Sequence, residues 1–153
     1  MKNLRKLIII RHGHYDNGSE SLSKYGKEQC KATAGNIARL TREFSKIQIF
    51  TSDLPRSIET GEIVASELRI DEVKSLFDLR TEHYHSREEV YPVIEKRIKD
   101  ETELVIIVAH FEMPSGLVCS FINKKFGKEL DPSISQNAKG YLCCMHTGSV
   151  STI

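Results

Sequence analysis

Read for apolar and polar positions alone, the chain switches between two periodicities. Lys6–Ile10 is an almost unbroken aliphatic, β-branched run, and such runs mark strands buried on both faces. After a polar loop, Ser21–Phe44 places apolar or small residues at Cys30, Ala34, Ile37, Ala38 and Leu40, near helical spacing, with Ser23 as the cap before the start. Lys46–Leu54 (KIQIFTSDL) alternates and then turns polar, which predicts a second strand. Pro55–Leu68 reads as a helix with proline in its first position, where the missing N–H costs nothing, and with Ile58, Ile63, Val64 and Leu68 on its buried side. Arg69–Ser86 has no period and is rich in ionisable groups. Arg87–Glu101 is a charged amphipathic helix with Pro92 inside it, which predicts a kink or a late start. Glu103–His110 is a third buried strand, Ser115–Gly127 a helix stopped by its glycine, and Lys139–Met145 a strand. His146–Ser149 reads as a turn into a short last strand from Val150.

Strands alternating with helices predict an α/β fold: a three-layer α/β/α sandwich around a mostly parallel central sheet. The chain has no repeats, low-complexity tracts or linkers, and its 153 residues suit one domain, 1–153. Ligands of such sheets bind beyond the carboxyl ends of the strands. The first strand ends in Arg11-His12, the second in Thr51-Ser52-Asp53 with Arg56 one turn into the next helix, and the third in Ala109-His110. One histidine at a strand end is an ordinary surface residue. Two histidines and two arginines gathered on one carboxyl edge point to an anion site.

Charge narrows the partners. The chain carries 22 basic and 21 acidic residues, a net charge of +1, which advertises neither a nucleic-acid surface nor a polybasic membrane patch. The apolar run Leu7–Ile10 is too short for a signal-peptide core or a membrane span. Cys30, Cys119, Cys143 and Cys144 lack metal-ligand spacing, and the adjacent pair would point to opposite faces of a strand. Reduced thiols and a cytoplasmic location are expected. Nothing in the composition sets an oligomeric state.

The motifs at the strand ends resemble those of the histidine phosphatase superfamily, the phosphoglycerate mutase-like fold. Its Arg-His-Gly is matched by Arg11-His12-Gly13. Its Ser-x-Leu-x-Arg-Ala-x-x-Thr-Ala block is matched by Ser52, Leu54, Arg56 and Thr60 in SDLPRSIETG. Its late histidine is His110 in VIIVAH, and NAKGYL, Asn137–Leu142, looks like its approach to the next strand. The blocks cover nearly the whole chain in order, and the size is similar to that of the small phosphohistidine phosphatases. There are departures: Asn17 falls one position early, and Thr81 stands where the family's acidic residue would fall, with Glu82 one later. The chain is also short for the insertions that close over sugar phosphates.

The resemblance implies phosphoryl transfer through a phosphohistidine on His12. The residue types suit that chemistry. Phosphoryl oxygens stay negative throughout transfer, so Arg11 and Arg56 can each present paired donors to them. A neutral imidazole is a competent nucleophile if a backbone carbonyl holds the proton on its other nitrogen. His110, protonated beside the phosphate, would hold another oxygen. Ser52 either caps the following helix or touches the phosphate. The leaving oxygen needs an acid, and two residues are candidates: Glu82, favoured here, and Glu112, two after His110, whose other role would be at a helix start. His14, His83, His85 and His146 read as solvent-facing. His83-x-His85 lacks the further ligands of a zinc site, and neither metal nor cofactor is expected. The reading is thus a metal-independent phosphatase acting on a phosphorylated protein side chain or small phosphate ester, without nucleic-acid or membrane partners. A phosphoglycerate-mutase-type phosphotransferase and a catalytically weak phosphate- or phosphoprotein-binding module are the alternatives.

Overall fold

The aliphatic run at the start of the chain forms β1 (Lys6–Arg11), and β4 (Leu104–Ala109) is buried along its whole length beside it. The computed structural model describes residues 3–80, 90–111 and 113–153. Between and after these two strands come α1 (Lys24–Leu40), β2 (Ile47–Thr51), α2 (Pro55–Leu68), β3 (Val73–Ser75), a 3-10 turn (Phe77–Leu79), α3 (Val90–Glu95), α4 (Met113–Phe126), β5 (Gly140–Cys144) and β6 (Val150–Thr152). The sheet order is β3-β2-β4-β1-β5-β6. The first four of these strands run parallel, while β5 and β6 pair antiparallel at one side.

Successive side chains of a strand alternate faces, and the core divides accordingly. Leu7 and Ile9 of β1, with Val105 and Ile107 of β4, pack under α3 and α4 through Tyr91, Ile94, Leu117 and Phe121. Ile8 and Ile10, with Ile106 and Val108, pack under α1 and α2 through Ala34, Ile37, Val64 and Ala65. Helices on both faces of a mostly parallel sheet make the expected three layers. No helix among the described residues is long and apolar enough to cross a membrane.

Local signals placed most element ends. Ser23 caps α1, its side chain accepting from the N–H of Gly26. Gly127 ends α4 with φ of 63°, a left-handed conformation that glycine adopts without a Cβ clash, and its N–H reaches Asn123 O at 2.8 Å. Cys30, Cys119, Cys143 and Cys144 form no disulfides with one another.

Three expectations change. The stretch from Arg69 holds an extra strand, β3, which adds to the edge of the sheet by pairing with β2. Its three residues are too few to show a period. The charged helix is described only over Val90–Glu95 and then tightens into turns, with the N–H groups of Arg97 and Ile98 bonding three residues back to Ile94 and Glu95. There the buried amide of Gln48 takes over, accepting from Lys99 N at 2.8 Å and Thr102 Oγ1 at 2.6 Å. That also explains a polar residue in the middle of β2. Finally, α4 starts at Met113 rather than Ser115, with Pro114 in its first turn, where its lack of an N–H is harmless.

Candidate active site

Strand register builds the site. β1 pairs with β4 so that Arg11 lies opposite Ala109, and β2 pairs with β4 so that Thr51 lies opposite Val108. The residues just past the strand ends, His12, His110 and Ser52, are therefore neighbours across three parallel strands. The rings of His12 and His110 are 5.0 Å apart, and both side chains are almost fully buried.

The His12 backbone is held on both sides: its N–H donates to Ala109 O, and its carbonyl accepts from Ala138 N and Asn137 Nδ2. Its ring Nδ1 lies 2.7 Å from Gly13 O, while Arg56 Nε donates to Nε2 at 3.3 Å. A carbonyl accepts and a guanidinium donates, so these partners place the proton on Nδ1 and the lone pair on Nε2. Burial, aided by the nearby Arg56 and Arg11 charges, lowers the His12 pKa to about 4. The ring is neutral at ordinary pH.

Thr60 ties this loop to the helix carrying Arg56. Its Oγ1 accepts from Gly13 N at 3.1 Å and donates to Arg56 O at 2.7 Å. The loop passes very close to α1: a Cβ on Gly26 would lie 2.0 Å from His14 O, so only glycine fits there.

Both arginines are braced by aromatic rings. The Arg56 guanidinium lies 4.4 Å from the Tyr15 ring centre, and that of Arg11 lies 4.9 Å from Phe111. Arg11 Nη1 donates to Ser135 O at 3.2 Å. Its Nε is buried with no hydrogen-bond partner among the described residues, a donor that a phosphoryl oxygen could satisfy. Phe111 has φ of 35°, a conformation that costs a bulky side chain on the order of 1–3 kcal/mol.

His110 Nε2 and the Ser52 hydroxyl share a 2.6 Å hydrogen bond. Burial, reinforced by the charges of His12, Arg56 and Arg11, lowers the His110 pKa to about 3, so the ring is neutral at ordinary pH. A phosphoryl dianion would oppose that shift. Ser57, in the first turn of α2, donates to Val108 O and accepts from Ser52 N, locking the helix start to the strand ends. Arg56 thus projects from the first turn of a helix whose positive dipole end also favours an anion, its own N–H being bonded to Glu20 O.

These shifts set a pH dependence. Both histidines titrate below the ordinary 6.5, so the unfolded chain binds more protons between that value and the folded values of about 4 and about 3. Folding stability should be level above pH ~6.5 and fall as pH drops below it, by an amount on the order of a few kcal/mol near pH 4.5. Urea unfolding at stepped pH checks this. A His110→Asn variant should show a shallower slope, and equal slopes in the two proteins would contradict the buried neutral state.

A family model described as the histidine phosphatase superfamily (branch 1) matches residues 7–153. The chain belongs to the histidine phosphatase superfamily. Solved structures with the same fold include the protein histidine phosphatase SixA complexed with tungstate, at 16% identity, 97% of this chain and 94% of that chain covered, and a TM-score of 0.69. Another is mycobacterial glucosyl-3-phosphoglycerate phosphatase complexed with VO3, at 18% identity, 97% of each chain covered, and a TM-score of 0.69. Comparison with curated proteins found no match.

In this histidine phosphatase-superfamily chain, Arg11, His12, Arg56 and His110 come together. Ser52 lies beside them but is wholly buried and engaged with His110. The α2 cap position is Leu54, without a side-chain cap bond, and Leu54 N reaches Ser52 Oγ only at 3.4 Å. Both acid candidates, Glu82 and Glu112, lie outside the described residues, as do His83 and His85. His14 is half-buried rather than solvent-facing, its Nδ1 sharing a 2.7 Å hydrogen bond with Ser23 Oγ. Sequence reasoning gave no role to Ser57, Tyr15, Phe111 or Arg80, which pairs through Nε and Nη2 with the two carboxylate oxygens of Asp53 beside Ser52. Their adjacency to the motif residues was a usable signal for the first three. Arg80 had none, since only the fold of Phe77–Leu79 returns it to the edge of the sheet.

Proposed function

We propose that this protein is a metal-independent phosphatase that works through a phosphohistidine on His12. The observation that carries the reading is the fixed tautomer of a buried, neutral His12, whose Nε2 lone pair shares a pocket with two arginines. Nε2 attacks phosphorus, and the bond to the leaving oxygen breaks as the N–P bond forms. Arg11 and Arg56 hold the phosphoryl oxygens, whose charge they stabilise throughout. His110, with Nε2 accepting from Ser52, keeps its proton on Nδ1 as a further donor. Ser52 then positions His110 instead of touching the phosphate. Water next attacks the phosphohistidine, releasing inorganic phosphate and returning His12 with its Nδ1 proton. Substrates are phosphorylated protein side chains or small phosphate esters. The two oxyanion complexes among the similar structures support a pocket of this kind. A reducing, cytoplasmic setting belongs to the same reading, and the lack of disulfides among the four cysteines suits it.

The test is turnover of nitrophenyl phosphate in excess chelator, with vanadate or tungstate as competitor. Undiminished turnover and competitive inhibition are expected. Activity that vanishes in chelator and returns with zinc or manganese would refute the metal-independent mechanism. Phosphate binding without turnover would leave a binding module, and transfer to an added phosphoryl acceptor in preference to water would make it a transferase.

The general acid is assigned to Glu82, which protonates the leaving oxygen, with Glu112 as the other candidate. Glu82→Gln should slow alkyl phosphates by about 10²–10⁴-fold and nitrophenyl phosphate little, because nitrophenolate leaves unaided. If Glu112→Gln separates the two substrates and Glu82→Gln does not, the assignment moves to Glu112.

A further inference from the structure

Each of the two site arginines lies against an aromatic ring that the core clusters of the described residues do not include. Tyr15 covers the Arg56 guanidinium at 4.4 Å and meets the His12 ring edge-on at 5.5 Å. Phe111 follows His110 directly, covers the Arg11 guanidinium at 4.9 Å, and is 51% exposed. Neither ring belongs to a core cluster of the described residues. Phe111 also holds its exposed position on a left-handed backbone, with Met113 N closing the turn onto His110 O at 2.7 Å. An apolar ring left half-exposed by a strained turn, beside the arginine of the site, takes its contact from that guanidinium and not from the core.

The phosphoryl oxygens belong at the guanidinium edges, so the rings above those guanidiniums border the space taken by the leaving group. We propose that Phe111 and Tyr15 form a π-lined mouth that selects a phosphoryl group carried on a flat aromatic ring over one carried on a saturated group. The proposal rests on the phosphoryl pocket of the preceding section and adds the substrate class. A flat ring entering this mouth can stack on, or meet edge-on, the ring faces and edges left free by the arginines. A sugar would bring hydroxyls whose water the Phe111 ring cannot replace. Arg11 and Arg56 are held by the same rings, so recognition of the phosphoryl group and of its carrier share one set of contacts.

The test uses non-hydrolysable ligands, so it does not depend on turnover. Phenylphosphonate and cyclohexylphosphonate carry the same anionic head on six-carbon rings, one flat and one puckered. Calorimetric titration of the wild-type protein should show phenylphosphonate binding about ten-fold more tightly. In Phe111→Leu, which keeps apolar bulk without a π face, that preference should fall to about two-fold or less, and Phe111→Trp should restore it. Tyr15→Leu should reduce the preference from the other side. Equal binding of the two phosphonates to the wild type, or a preference that survives both leucine variants, overturns the proposal. A protein that prefers phenylphosphonate yet turns over no phosphate ester keeps this mouth and loses the phosphatase reading. One that binds neither phosphonate loses both.

Discussion

His12→Ala should lower phosphatase turnover by at least about 10⁴-fold, the scale seen when a nucleophile is removed from a covalent mechanism. The loss should not come from unfolding. The bonds holding this residue to Ala109, Asn137 and Ala138 use its main chain and survive the substitution. Among the described residues, the side-chain bonds lost are those to Gly13 O and Arg56 Nε. Thermal unfolding should therefore shift by only a few degrees, since surrendering a buried, desolvated imidazole partly offsets the cavity left behind. Rapid quenching of the wild-type protein with labelled substrate should trap acid-labile, base-stable phosphate on His12, and the variant should trap none. An active alanine variant, or label on another residue, would remove His12 as the nucleophile.

Arg56→Ala should cost about 10³-fold in kcat/KM and weaken vanadate binding in parallel, because clamping guanidiniums act on the charge of the transferring group. Arg56 does more than neutralise. Its Nε–H points at the His12 lone pair, and its guanidinium rests on Tyr15, so the fork is oriented before substrate arrives. Arg56→Lys keeps the charge without that geometry and should recover only part of the loss. If lysine restored full activity, net charge rather than directed donors would be the working feature.

The candidate site was legible along the chain because the information is local. An aliphatic run that stops at a charged residue announces both a buried strand and its solvent-facing end, and parallel sheets put their ligands at such ends. Arg11, His12 and His110 could therefore be located without a structure, and Arg56 through the helix start after Pro55. The same logic fails for β3, whose three residues carry no period, and for the helix around Pro92, where the competing partner, Gln48, lies about fifty positions away.

Residue order decided the layers, the strand ends and the chemical types gathered there, because hydrophobic period and strand termination are properties of neighbouring residues. Folding decided the state of those groups. The neutrality of His12 and His110 comes from burial under the surrounding chain, and neither histidine is unusual in its local sequence. Ser52 reads equally well as a helix cap, and its bond to His110 exists only because β2 and β4 align Thr51 with Val108. The pairing of Asp53 with Arg80 and the rings over Arg11 and Arg56 likewise join residues separated by tens to a hundred positions. A side chain's pKa and partners depend on what packs against it, and strand register sets that only once the sheet has closed.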